Sequence, residues 1–156
     1  MILNQQRAVS VNLRALRAYL RRIKATLGLA NKVWNVCLVD DRQIQELNAT
    51  YRGQHRPTDV LAFAWQSDDG GGVACHPADQ EFKNFLGDVV ISSETALRQA
   101  RREGHAVQQE INWLMLHGTL HLLGYDHETD DGEMTSLELK LRRQLDRRPR
   151  SLLRGA

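Results

Sequence analysis

The sequence predicts an α+β domain (mixed α/β) in which helices cover a small mixed β-sheet of about four strands. Three observations lead there. Short, β-branched apolar runs alternate along the chain with longer segments whose apolar residues recur at three- and four-residue steps. No internal repeat and no linker divides the 156 residues, a length that suits one domain, 1–156, with a real core. Hydrophobic residues at 42% and charged residues at 26% are ordinary globular values, which argues against disordered, collagen-like and coiled-coil readings.

After a short apolar start, residues 11–30 place Leu13, Leu16, Leu20, Ile23 and Leu27 on one stripe. Arg14, Arg17, Arg21, Arg22 and Lys24 fall largely on other faces, which predicts an amphipathic helix ending near Gly28. VWNVCLVD is a strand that stops at Asp40, where Asp40 and Gln43 have the spacing of a capping box that opens a helix to about Tyr51. DVLAFAW and FLGDVVIS are two further strands. Between them, residues 66–84 are polar and rich in Gly and Asp, and loops of that length are usually functional or mobile. Ser92 or Ser93 caps a helix running to about Gly104, and a more apolar, central helix follows from about Val107 to Leu123. A last helix starts near Asp130, where Asp130 and Glu133 offer a second capping box, and is expected to pack through Met134, Leu137, Leu139 and Leu141. The arginine-rich tail, about 147–156, is broken by Pro149 and expected to be disordered.

With 21 Lys+Arg against 19 Asp+Glu, net charge does not by itself announce a nucleic-acid binder. No apolar run approaches the length of a membrane span, and MILNQQRAVSVN lacks the basic start and apolar middle of a secretion signal, so the cytoplasm is expected. In that reducing compartment Cys37 and Cys75 are expected as free thiols. Cys75 and His76 together also form a candidate accessory metal pair.

The chemistry concentrates in HGTLHLLGYDH, residues 117–127. On a helix, His117 and His121 sit one turn apart on one face, so two imidazoles can share a metal. Gly124 stands where a left-handed helix end is expected, and the reversal it permits lets His127 swing back toward the same point. Three neutral imidazoles suit one Zn²⁺ per chain at the end of this helix, with the fourth tetrahedral position left open, as in a catalytic site. Gly118 occupies the position where the H-E-x-x-H motif of a metallopeptidase carries its glutamate.

This stretch resembles the signature of the YbeY family, metal-dependent endoribonucleases of ribosomal RNA maturation. LNATYRGQHRPTDVLAF, with Arg52, Thr58, Asp59, Val60, Leu61 and Phe63, is similar to the family's arginine and T-D-V-L-x-F segment. LGDVVIS and Glu110, seven residues before His117, extend the resemblance over about residues 46–134. The longer 66–84 loop, Gln109 where the family often has arginine, and the arginine-rich tail depart from the pattern and bear on substrate contacts more than on the metal. The resemblance implies that His117, His121 and His127 bind the metal and that Arg52 lies in the active cleft, where a planar guanidinium matches phosphate oxygens. Asp126, beside His127, is a candidate base, a partner that orients a ligand, or a turn-forming Asx residue. Glu110 shares the histidine stripe but lies about 10 Å along the axis. Asp59 and Asp88 read as turn and strand-end carboxylates.

The implied activity is a zinc-dependent endoribonuclease that prefers single strands and acts in ribosomal RNA maturation, including the 16S rRNA 3′ end, and in ribosome quality control. Single-stranded RNA and ribosomal RNA are the expected partners, with ribosomal small-subunit proteins as candidates; neither DNA nor a membrane is expected. A metallopeptidase-like zinc hydrolase ranks lower because position 118 is glycine. The alternative from another class is a non-catalytic RNA- or ribosome-binding assembly factor whose zinc serves the fold. The basic first helix, Arg98, Arg101, Arg102 and the tail would fit RNA contact in either case.

Overall fold

A computed structural model describes residues 1–65 and 84–147. The apolar start pairs as β1 (Ile2–Asn4), and α1 (Leu13–Thr26) returns the chain to β2 (Val33–Val39), parallel to β1 with Ile2 opposite Val36. Then come α2 (Asp41–Arg52), β3 (Val60–Ala64), β4 (Phe85–Ser92), α3 (Ser93–Glu103), α4 (Val107–Leu122) and α5 (Glu133–Leu145). The four strands lie in the order β1-β2-β4-β3, with β4 parallel to β2 and antiparallel to β3. This is the mixed, helix-covered α+β sheet that the sequence predicts.

Local signals set the boundaries. Asn12 caps α1 by accepting from the Ala15 N–H at 3.0 Å. The capping box of α2 forms in both directions, with the Gln43 N–H donating to Asp40 at 2.8 Å and the Asp40 N–H donating to Gln43 at 3.1 Å. Ser92, not Ser93, caps α3, and its hydroxyl also donates to Asp41 at 2.6 Å. Burial pushes the Asp41 carboxyl upward, but hydrogen bonds from Arg98, Ser92 and Thr95 outweigh it and hold the group below its ordinary value. That cluster ties the start of α2 to the start of α3.

Strand alternation divides the core in two. Trp34, Val36 and Leu38 of β2 join Val89 and Ile91 of β4 against α1, α3, α4 and α5. Val39, Val90 and Leu61 instead meet Ile44 of α2. Helix α4 buries Ile111, Leu114, Met115, Leu116, Leu120 and Leu122, so it is apolar nearly all round and runs through the middle of the helical layer.

Two expectations for the last helix are corrected. Asp130 does bind backbone N–H groups, those of Gly132 and Met134 at 2.9 Å each, but the residue before the helix is Gly132 at φ 92° and no Asp130–Glu133 box forms. Leu139 is 47% exposed, and the buried stripe runs through Met134, Glu138, Leu141 and Leu145. The Gly-rich loop with Cys75 and His76, and the tail with Pro149, lie outside the described residues. Cys37 is a free thiol. Among the described residues no helix is long and apolar enough to cross a membrane.

Gly118 is buried where α4 crosses β4. A Cβ there would lie 2.5 Å from Cγ1 and 3.0 Å from Cγ2 of Val89, so the glycine is required for helix-on-sheet contact. Beyond the missing glutamate, position 118 therefore has a packing reason to be glycine. Gly118→Ala gains about 1 kcal/mol of helix propensity but incurs about 1–3 kcal/mol of overpacking against an interior strand. Chemical denaturation is expected to show a net loss of stability, and a midpoint equal to or above wild type would contradict the close approach.

Candidate metal centre and cleft

His117 and His121 occupy one face of the last turns of α4. Leu123 closes the helix, and Gly124 follows at φ 99°, a left-handed conformation that side chains with a Cβ rarely adopt. The N–H groups of Gly124 and Tyr125 donate to the carbonyls of His121 and Leu120 at 3.0 and 3.1 Å, which satisfies the helix end as the chain reverses. His127 thereby returns to the pair, its ring centroid 5.6 Å from His117 and 5.4 Å from His121. One ligand nitrogen from each of the three rings lies within 4.8 Å of the others, and Nε2 of His117 is 3.1 Å from Nε2 of His121. Among the described residues no other set of three His, Cys, Asp or Glu side chains gathers in this way. Such a group can hold a divalent transition-metal ion.

Electrostatics favour the ligand state at His121. Burial, then the neighbouring His117 and His127, lower its pKa from the ordinary histidine value against weaker opposition from Tyr125 and Asp126. The ring is therefore neutral at neutral pH, with a lone pair to offer.

A cleft of about 800 Å³ opens beside the three rings, walled by the end of α2, by β3 and by the turn after α4. Arg52, the last residue of α2 before left-handed Gly53, is exposed and lines it together with His117 and His121. Asp126 also lines the cleft, and its Oδ1 accepts from the Glu128 N–H at 3.0 Å. The Asx-turn role is thus present, on the same carboxylate that borders the cleft. Asp59, just before β3, is held by the Val60 N–H at 2.8 Å and by Gln99 at 3.2 Å, which matches its structural reading, whereas Asp88 lies in the middle of β4 and not at a strand end, where it accepts from Asn35 at 3.0 Å. Glu110 sits in the first turn of α4 and bonds His105 at 2.5 Å, away from the three histidines.

A profile of the family described as endoribonuclease YbeY matches residues 1–146. The chain belongs to the YbeY family. Endoribonuclease YbeY of Syntrophomonas wolfei is 36% identical over 155 residues, covering 95% of this chain and 92% of that protein. The Syntrophus aciditrophicus protein of the same name is 35% identical over 144 residues, 92% of this chain and 85% of its own length. A third, from Aquifex aeolicus, is 47% identical over 106 residues, 67% of this chain but only 62% of that relative, less than two thirds of its length. The solution structure of TM1509 from Thermotoga maritima has the same fold, with a TM-score of 0.56 and 28% identity over 93% of this chain and 89% of that one.

In this YbeY chain, sequence reasoning overlooked Glu138. It is 8% exposed, and its Oε1 lies 2.5 Å from Nδ1 of His117 while its Oε2 accepts from Arg142 at 2.6 Å. Burial pushes its carboxyl upward, but the hydrogen bonds and charges of His117 and Arg142 outweigh that and keep it below the usual carboxylate range. The available signal was an acid four residues after Met134 and three before Leu141, in the middle of an apolar stripe.

Proposed function

We propose that this chain is a zinc-dependent cytoplasmic endoribonuclease that prefers unpaired RNA and acts in ribosomal RNA maturation, including the 16S rRNA 3′ end, and in ribosome quality control. One observation carries the reading: three imidazoles converge at the edge of a cleft that also holds Arg52. Two nitrogens bound at about 2.0–2.1 Å to a tetrahedral zinc stand about 3.3–3.4 Å apart. The 3.1 Å between Nε2 of His117 and His121 is close to that spacing, and a donor set of three imidazoles suits the ion. When bound, zinc supplies Lewis acidity toward a phosphoryl oxygen. An RNA substrate is supported by the names of the relatives, and the ribosomal target by the motif resemblance.

The protein's own groups supply the rest. Among the described residues no ion pair or hydrogen bond engages the Arg52 side chain, so its fork is open to a phosphodiester in the cleft. Tyr51 and Tyr125, 47% and 40% exposed, also line the cleft and offer aromatic faces on which unpaired bases stack. Asp126 is the carboxylate we assign to proton transfer. The peptidase alternative loses ground on geometry as well as sequence, because position 118 faces Val89 and has no room for a glutamate.

The test is a panel of unpaired RNA, duplex RNA, DNA and peptide given to zinc-loaded wild type and to Arg52 variants. Unpaired RNA should be cut fastest and peptide not at all. Arg52→Ala should lower kcat/KM by about 10²–10³-fold, the usual effect of removing a group that stabilises developing charge, with zinc content and circular dichroism unchanged. Arg52→Lys should recover little, because an ammonium lacks the bidentate fork. Normal cleavage by both variants would remove Arg52 from the mechanism, and binding without cleavage of any RNA would favour an assembly factor.

A further inference from the structure

We propose that Glu138, clamped by Arg142, fixes the ring proton of His117 on Nδ1 and so aims the bare Nε2 at the point where the three histidines converge. The role rests on the metal reading above and makes Glu138 a positioning residue.

An ionised carboxylate only accepts hydrogen bonds. The Arg142 guanidinium on Oε2 at 2.6 Å favours the ionised form of Glu138, for which Nδ1 of His117, 2.5 Å from Oε1, is the donor. In a neutral ring the other nitrogen is then unprotonated, and it is this Nε2 that faces Nε2 of His121 at 3.1 Å. Free histidine favours the opposite tautomer, with the proton on Nε2, which would point a hydrogen at the metal position. Glu138 reverses that preference and also locks the ring's rotation, because one edge of the imidazole is tied to α5 while the other faces the cleft.

The carboxylate is itself held from two sides. Arg142, one turn further along α5, donates to Oε2 at 2.6 Å, and its guanidinium lies 4.5 Å from the centre of the Trp113 ring on α4. Farther along, Asp146 accepts from Trp113 Nε1 at 3.1 Å, from Gln109 at 3.2 Å and from the Tyr19 hydroxyl at 3.3 Å. Helix α5 is thus pinned to α4 and α1 beyond Glu138, which keeps the acid's backbone beside His117. A buried ion pair alone would be poor evidence of a role, since such pairs are often replaceable without loss of stability. What distinguishes Glu138 is that one of its oxygens is spent on the ring nitrogen opposite the one that faces the other histidines.

The experiment uses the full chain, metal-free and ¹⁵N-labelled. Long-range ¹H–¹⁵N spectra read the His117 tautomer, and chelator competition reads the zinc Kd. Wild type should carry the proton on Nδ1. Glu138→Met leaves Arg142 unpaired, so the double variant Glu138→Met/Arg142→Met removes both charges and keeps the stripe apolar. In the double variant the proton should move to Nε2 and zinc Kd should weaken by about 10–100-fold, the usual consequence of losing a ligand's hydrogen-bond partner. Its metal-free unfolding midpoint should stay near that of wild type. Wild-type His117 protonated on Nε2, or a folded double variant with wild-type zinc affinity, would overturn the role of Glu138 alone. A wild-type chain that takes up no zinc would instead overturn the metal reading and this role with it.

Discussion

His121→Ala is expected to take the purified chain from about one zinc to nearly none and to abolish RNA cleavage, because a site with three protein ligands does not survive on two. Of the three histidines that could hold the metal, His121 is the one least able to be replaced by movement of another group. It is half-buried in the last turn of α4, its Nε2 lies 3.1 Å from that of His117, and its ring lies between the helix and the returning turn. His127 is exposed on the turn, so His127→Ala should weaken binding less than either helical substitution. The fold should persist in all three variants, since α4 is held by Ile111, Met115, Leu116 and Leu120, each fully buried on other faces. Metal analysis together with circular dichroism checks both statements. Full zinc retention in every single variant would remove these histidines as the metal site.

How much of this was legible depended on whether the determining interactions were local. The α2 capping box, the α3 cap at Ser92 and the Gly124 reversal are settled within a few residues, and each is present in the structure. The histidine cluster was legible for the same reason, because its three members span only residues 117–127. Glu138 was not, since its meaning depends on a ring 21 positions earlier in the chain, brought near by the docking of α5 on α4. Periodicity alone also left the register of that helix open. Leu139 looked like a core residue until Met134, Glu138 and Leu141 took the buried face. Gly118 carries a second constraint that local sequence does not show: besides lacking the peptidase glutamate, it lies against Val89, a residue of β4 far away in sequence.

Replacing the single 2′-hydroxyl at a mapped cut site by hydrogen is expected to stop cleavage there without preventing binding. The expectation follows from the proposed function together with the lack of a carboxylate on α4 near the histidines: position 118 faces the sheet, and Glu110 is engaged with His105. Of the acids lining the cleft, Asp59 has both oxygens engaged, by the Val60 N–H and by Gln99, whereas on the turn Asp126 accepts from the Glu128 N–H through Oδ1 and Glu128 also lines the cleft. RNA carries its own nucleophile. On the proposed function, the 2′-oxygen would bond to phosphorus as the bond from phosphorus to the 5′-oxygen breaks, Asp126 would take the 2′-proton, and water would protonate the leaving oxygen to give a 5′-hydroxyl. In the same proposed step Arg52, which lines the cleft, would offset the charge that builds on the non-bridging oxygens. Products should therefore end in a 2′,3′-cyclic phosphate or a 3′-phosphate, and the deoxy-substituted strand should bind as tightly as the original while remaining intact at that linkage. Deoxy RNA cut at the normal rate, with 3′-hydroxyl ends, would mean that water attacks phosphorus, and Asp126 would then have to be tested as the group that deprotonates it.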